Sequence, residues 1–246
     1  MVKIFLALCF LLQTGCATYL VVKDGVVNPD KLQEIRKGLA GIRGLKFTGE
    51  VAIEVKTKDE MRNYLEGSLL EEYGEEKLGN IALVYAKLGL FPREIDLKKS
   101  LLDFYAGQVV AFYDPKAKKL ILPHDMGAGF AVGAVQFVAR RDIFGEMVLA
   151  HELTHALQEQ HFSLENRLGS LKDNDDKTTA LRTIVEGDAT LAGFSFLLGR
   201  TDPKAMAKIS GLIESELKEK QSTFDGVPKA VVEQLLFQYY GGVALV

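Results

Sequence analysis

The sequence has little cysteine, no tryptophan and no surplus of positive charge. Its two cysteines, Cys9 and Cys16, lie near the N-terminus, so a chain processed after residue 15 has neither a disulfide nor a metal site built from cysteines. The 30 Lys and Arg residues are outnumbered by 33 Asp and Glu residues and form no basic cluster. A phosphate backbone would find few cations to bind, which argues against a nucleic-acid partner.

Long apolar runs are also missing, which excludes a protein that crosses a membrane several times. The run at residues 4–12 is too short to span a bilayer, but it follows Lys3 and precedes small residues, as in a secretory signal. A small residue directly before Cys16 resembles a bacterial lipoprotein signal, although Gln13 stands where that signal usually has Leu. We expect residues 1–15 to be a signal peptide and the exported protein to be anchored in the cell envelope through an acylated Cys16. Simple secretion and an uncleaved N-terminal segment are the alternatives.

The remaining chain has the composition of a globular protein, with 48% hydrophobic and 26% charged residues. Its periodicity predicts an α+β fold in which helices dominate. Helices are expected at residues 29–42, 58–73, 76–88, 93–105, 142–160, 178–198, 203–220 and 228–240, and strands at 51–56, 108–113 and 119–122. Asn28 before Pro29, a capping box at Thr57 and Glu60, and Asp142 mark three of the helix starts, and Asp114-Pro115 marks a turn between the last two strands. We divide the chain into an N-terminal mostly helical region at 16–105, a core at 106–200, and C-terminal helices at 201–246 that pack on the core.

The helix expected at 142–160 carries the motif His151-Glu152-Leu-Thr-His155. Two histidines four residues apart lie on one face of a helix, about 6 Å apart along its axis, so both imidazoles can bind one ion. Glu152 lies about 100° around the helix from His151 and can take a proton from a water on that ion. The flanking residues are apolar, which is not typical of a solvated helix surface. The motif therefore predicts a zinc site with Glu152 as the catalytic general base.

A zinc site of this type needs a third protein ligand, and two residues are candidates. His161 completes a motif with the length used by the metzincin family, in which the chain turns at a glycine three residues after the second histidine. Here that position is Gln158, a good helix former. An uninterrupted helix places His161 about 240° around from His155, pointing away from the ion. The other candidate is Glu186, on the next expected helix.

At this point the sequence resembles the gluzincin branch of zinc metallopeptidases. In that branch the HExxH motif is followed, on a later helix, by a glutamate ligand, in several members within a context similar to residues 185–189 here. Residues 108–190 also resemble a group of predicted bacterial zinc peptidases. The resemblance implies a zincin-like fold and a Zn²⁺ site formed by His151, His155 and Glu186.

One position departs from the gluzincin pattern. Many gluzincins have Asp four residues after the ligand glutamate, where it braces a metal-bound histidine, and this sequence has Thr190 there. Asp188 is nearby in sequence, but two residues from Glu186 it should face elsewhere on the helix. The sequence therefore leaves open what braces the histidines.

Other residues are candidates for contact with a substrate. Tyr239 or Tyr240 could stabilise the transition state by donating to an oxyanion, as a Tyr or His does in related peptidases. His124 and Tyr113 are weaker candidates for a catalytic role. The hairpin before the motif resembles the zincin edge strand that pairs with an extended peptide, which would make the backbone of residues 108–113 a substrate platform.

These patterns predict an exported zinc metallopeptidase that acts on a peptide or protein substrate. A hypothesis of a different class is an envelope binding or scaffold lipoprotein that keeps a structural or vestigial zinc site without turnover. A third is metal-dependent hydrolysis of a non-peptide amide. The intact Glu152 favours an enzyme, because a decayed enzyme often loses its general base first.

Overall fold

The computed structural model describes residues 19–108, 110–126, 136, 138–172, 174–199, 211 and 227–246. Most of them are helical, and two small sheets complete an α+β structure, as the periodicity predicts. Within these ranges, no helix is both long and apolar enough to span a membrane. The expected signal peptide with Cys16 and the expected helix at 203–220 lie outside the described residues.

The described chain begins with a short antiparallel hairpin, β1 (Val22–Lys23) and β2 (Val26–Val27). Helix α1 (Pro29–Arg43) follows, and the Asn28 side chain accepts hydrogen bonds from two backbone amides of its first turn. Gly44 ends the helix in the left-handed conformation, at φ 64°. The N-cap and proline pattern at this helix is thus confirmed.

Strand β3 (Ala52–Lys56) leads directly into helix α2 (Lys58–Lys87). The capping box expected between these elements is confirmed: the side chains of Thr57 and Glu60 each accept from the other residue's backbone amide. Gly74 has φ 71° and ψ 157° inside α2, so the helix is kinked where the sequence predicts a break between two helices. A residue with a side chain rarely adopts this φ, which explains a glycine here.

Helix α3 (Leu97–Gln108) begins and ends later than the 93–105 expected from the sequence. The Asp96 side chain accepts a hydrogen bond from the Lys99 backbone amide at 2.9 Å. This cap places the start of the helix after the turn that follows α2, which is later than the sequence pattern predicts.

The two strands expected around an Asp-Pro turn form an antiparallel hairpin, β4 (Phe112–Asp114) and β5 (Lys119–Pro123). Strand β3 pairs in parallel with the other side of β5, so the sheet order is β3-β5-β4. Part of the N-terminal region therefore shares a sheet with the core. Leu120, Ile121 and Leu122 of the central strand are fully buried, because β5 has a neighbour on both sides and helices above it.

Helix α4 (Ile143–Phe162) carries the HExxH motif. Asp142 is its N-cap, as predicted, and its carboxylate accepts hydrogen bonds from the amides of Gly145 and Val21, both at 2.9 Å. The helix runs without interruption to Phe162 and ends at Ser163, which has a left-handed conformation. The N-terminal hairpin is therefore joined directly to the start of the motif helix.

A short helix α5 (Leu164–Gly169) separates α4 from helix α6 (Asp175–Leu198). The sequence pattern predicts the start of this helix at residue 178. The prediction was wrong by one turn because Asn174 is the N-cap, its side chain accepting from the Lys177 amide at 3.0 Å. Acidic residues in the first turn favour a helix, since they face its positive end.

Helix α7 (Lys229–Leu245) extends five residues beyond the expected end at 240. It continues through Gly242, which lies directly against Gly187 of α6: a Cβ built on Gly187 would be only 2.2 Å from the Gly242 carbonyl carbon. The two backbones therefore touch at this crossing. The contact brings α7 over the part of α6 that carries Glu186.

We expect Gly187→Ala to destabilise the protein by about 1–3 kcal/mol or more, because the new methyl group overlaps the backbone of α7. Thermal or urea unfolding would measure the loss. Gly67→Ala is the matched control: Gly67 is an exposed residue of α2 with no atom within 4 Å of an added Cβ, so this change should leave the stability equal or higher. Equal stability of the two variants would contradict the close packing of α6 on α7.

Candidate metal centre

His151, His155 and Glu186 lie together between α4 and α6. The two histidine Nε2 atoms are 3.1 Å apart. Glu186 Oε2 is 3.2 Å from His151 Nε2 and 3.5 Å from His155 Nε2. Helix geometry alone places the histidines on one face of α4, whereas the packing of α6 across that face brings in the carboxylate.

The three ligand atoms have the spacing of a metal site. Tetrahedral zinc with bonds of about 2.0–2.1 Å requires neighbouring ligands about 3.3 Å apart. The three observed separations of 3.1, 3.2 and 3.5 Å match one triangular face of such a tetrahedron. Two neutral imidazoles and one carboxylate are also the donor set that catalytic zinc prefers, with the fourth corner left for water. These residues therefore fit a zinc ion.

The ionisable groups of this cluster stabilise one another's charged forms. Burial would lower the pKa of His155, but the adjacent Glu186 carboxylate outweighs it and raises that pKa to about 9. Burial would raise the pKa of Glu186, but the two imidazoles outweigh it and lower that pKa below its ordinary value. Without a metal, a proton on His155 balances the Glu186 carboxylate. A divalent cation would replace this proton, so metal uptake near neutral pH should release protons.

Glu152 lies beside this cluster, and its side chain is nearly inaccessible, with 8% of the residue exposed. Its Oε2 atom accepts a hydrogen bond of 2.7 Å from the Tyr113 backbone amide on edge strand β4. Burial raises the pKa of Glu152, although the imidazoles of His151 and His155 oppose the increase. A carboxylate with a raised pKa and one oxygen held in place is suited to accept a proton and return it.

A chain of polar contacts begins at the Nδ1 atom of His155 and orients its ring. Its Nδ1 atom is 2.9 Å from Gln158 Oε1, and Gln158 Nε2 donates to Asp188 Oδ2 at 2.8 Å. The same amide nitrogen donates to the Val185 carbonyl, and Asp188 Oδ1 accepts from Arg43 Nη2 at 2.6 Å. An acceptor at Nδ1 places the imidazole proton there and leaves Nε2 free for an ion. Gln158 thus connects His155 to an ion pair between α1 and α6.

Thr190 occupies the position where many gluzincins have Asp, and it remains close to the other histidine. Its hydroxyl is 3.4 Å from His151 Nδ1, a longer contact than the one Gln158 makes with His155. The sequence pattern does not identify Gln158 and Asp188 as the residues that orient His155. A signal existed for Gln158, since it lies three residues after His155 on one helix face, whereas nothing local indicated that Arg43 would meet Asp188.

The two C-terminal tyrosines occupy different surroundings. The ring of Tyr239 stacks on His151 with centroids 6.2 Å apart and planes inclined by 29°. The negative charges of Glu186 and Glu152 raise the pKa of Tyr239 well above its ordinary value, so its hydroxyl stays a donor. Tyr240 instead packs edge-on against Phe237, 5.7 Å away. Of the two, only Tyr239 contacts the candidate site.

The remaining candidates lie outside the cluster. His161 Nε2 contacts the Lys46 carbonyl at 2.8 Å, because α4 continues straight through Gln158 and turns His161 away, as the helix geometry predicts. His124 is half-exposed and pairs with Asp125 at 2.8 Å. Tyr113 contributes its backbone amide, and burial raises the pKa of its phenol to about 12.

Comparisons of this chain with protein-family models, with curated proteins and with solved structures find no match. The chemical role of the site therefore rests on its own residues.

We expect Gln158→Leu to weaken zinc binding by about 10- to 100-fold, because His155 loses the acceptor that orients its ring. Competition against a chromophoric chelator would measure the change. The control is Gln160→Leu on the same helix, since the Gln160 side chain bonds to Thr48 and Gly49 instead of to His155. If both variants bound zinc like the unmodified chain, the contact between Gln158 and His155 would have no role in the site.

Proposed function

We propose that this protein is a zinc-dependent metallopeptidase with a zincin-like arrangement of gluzincin type. The observation that carries the proposal is the triangle of ligand atoms from His151, His155 and Glu186, whose edges suit tetrahedral zinc. A buried Glu152 beside that triangle and a protonated Tyr239 over His151 support an enzyme more than a purely structural site.

Zinc bound by these three residues would lower the pKa of a water in its open position and polarise the substrate carbonyl. Glu152 accepts the proton of the attacking water and then transfers it to the leaving amine. The Tyr113 amide restrains Oε2 during this transfer. Tyr239 donates its hydroxyl proton in a hydrogen bond to the oxygen on which negative charge develops.

Strand β4 is the edge of the three-stranded sheet, and it supports the idea of an extended substrate beside the site. The outward amide of Tyr113 is already bonded to Glu152 and cannot also serve a substrate strand. The other outward backbone groups of β4 could still pair with an extended substrate. The segment available for this pairing is therefore smaller than residues 108–113.

We also propose that the enzyme is exported and held at the cell envelope by an acyl group on Cys16. The signal-like pattern before this cysteine supports the anchor. Val21 is fully buried and bonds to Asp142, so only four residues separate Cys16 from the folded core. An acylated chain would therefore hold the core close to the membrane surface.

The decisive comparison is between the unmodified chain and Glu152→Gln, which keeps the size of the side chain and removes the base. We expect the variant to retain about one zinc per chain and to cleave peptides at least about 10²-fold more slowly. Metal analysis and cleavage of an unbiased peptide library would measure both properties.

Two further variants separate the roles in this comparison. Glu186→Ala should lose most of the metal, whereas His161→Ala should keep it. Comparable cleavage by the unmodified chain and Glu152→Gln would refute the assigned base. Zinc binding without any cleavage would instead favour the envelope binding or scaffold lipoprotein.

We expect Tyr239→Phe to lower kcat by about 10²-fold with little change in zinc content, because only the hydroxyl that contacts the developing oxyanion is lost. Tyr240→Phe is the matched control and should keep full activity, since its ring packs on Phe237. Steady-state kinetics on one peptide would compare the two. Full activity of Tyr239→Phe, or an equal loss in both variants, would contradict a specific role of the Tyr239 hydroxyl.

A further inference from the structure

Arg182 lies on α6 one helical turn before Glu186, on the same face of the helix. Its side chain is 34% exposed, and its Nη2 atom pairs with Glu72 Oε1 on α2 at 2.6 Å. Its Nε atom is buried and has no hydrogen-bond partner, the only such side-chain atom among the described residues. A guanidinium beside the candidate metal centre is therefore only partly engaged.

The cost of this arrangement indicates a missing partner. A buried N–H group without an acceptor destabilises a protein, so the buried nitrogens of an arginine normally have hydrogen-bond partners. Glu72 engages Nη2 of Arg182, and the buried Nε has no acceptor in the described parts of the chain. The planar guanidinium fork pairs well with the two oxygens of a carboxylate, which is the anionic group that a peptide carries at its C-terminus.

Electrostatic interactions link Arg182 to two tyrosines that also respond to Glu186. Burial raises the pKa of Tyr105 on α3 to about 12, Glu72 and Glu186 add to the increase, and Arg182 opposes it. The charge of Glu186 also raises the pKa of Tyr239, and the charge of Arg182 opposes that increase. Both tyrosines are thus under the electrostatic influence of the Glu186 carboxylate and the Arg182 guanidinium.

We propose that Arg182 binds the free C-terminal carboxylate of a peptide, so that the enzyme removes one or two residues from peptide C-termini. This rests on the proposed peptidase function. One turn of helix separates Arg182 from Glu186 by about 6 Å along the axis, and an extended residue spans about 3.5 Å. A substrate anchored at Arg182 therefore presents one of its last peptide bonds to the ligand triangle.

The reaction is an ordinary hydrolysis, and it needs no further reactant. Water supplies the oxygen of the new C–O bond at the scissile carbonyl, and the C–N bond breaks. The proton taken up by Glu152 goes to the nitrogen of the leaving amino acid or dipeptide, which keeps its own carboxylate on Arg182.

The kinetic test compares one peptide as the free acid and as the C-terminal amide. The unmodified chain should release one or two C-terminal residues from the free acid and cleave the amide much less efficiently. Arg182→Gln should raise KM for the free acid by about 10- to 100-fold, so that the free acid loses its advantage over the amide. Arg182→Lys, which keeps the charge without the fork, should restore only part of the loss. Arg62→Gln is the control, since Arg62 also forms an ion pair from α2, with Asp103 of α3.

A binding measurement gives a second readout that does not need turnover. Zinc-loaded Glu152→Gln, titrated in a calorimeter, should bind the free acid about 10- to 100-fold more tightly than the amide, and adding Arg182→Gln should abolish the difference. Glu72→Gln covers the case in which the arginine variant does not fold. It frees Nη2 while leaving Arg182 in place, and it should strengthen binding of the free acid.

The outcomes separate the two proposals. Cleavage that depends on Glu152 but occurs equally in free acid and amide, at internal bonds, overturns the role of Arg182 and leaves the peptidase proposal intact. No cleavage that depends on Glu152 overturns the peptidase proposal. In that case the calorimetric comparison tests the role of Arg182 alone. Tighter binding of the free acid than of the amide supports the carboxylate site, and equal binding of the two peptides overturns it.

Discussion

Burial of charge beside its counter-charge is the constraint on which this structure depends. Two imidazoles and two carboxylates meet between α4 and α6, where a single uncompensated charge would cost several kcal/mol. Each of the four has a compensating contact: Glu186 with both imidazoles, His155 with Gln158, and Glu152 with the Tyr113 amide. The protein tolerates these groups in its interior because every neighbouring element contributes a partner.

Close packing at small residues sets the positions of the helices around the site. α4 is apolar on most sides and is buried on both flanks of the motif, as a helix inside a core must be. α6 crosses it, and α7 approaches α6 closely at Gly187 and Gly242, where no Cβ separates the backbones. This approach is also what places Tyr239 over His151. The same contact therefore governs stability and the composition of the site.

Much of the local structure was predictable. Asn28, the Thr57 to Glu60 pair and Asp142 each mark a helix start through a side chain that satisfies a nearby backbone amide, and all three predictions are confirmed. The starts of α3 and α6 were misplaced because their caps, Asp96 and Asn174, stand within polar stretches that also suit a loop. The end of α7 was misplaced because a pair of glycines usually ends a helix, whereas here it packs against another backbone.

The sequence by itself determined what lies within one helix: His151 and His155 on a common face, Glu152 beside them, and His161 turned away. These relations follow from the fixed rise and turn of an α-helix, which depend on no other part of the chain. Only the tertiary structure decided the distance of Glu186 from the histidines, the link from Gln158 to Asp188 and Arg43, and the approach of Tyr113 and Arg182. Those contacts join elements far apart in the chain, and their geometry results from the packing of the whole core.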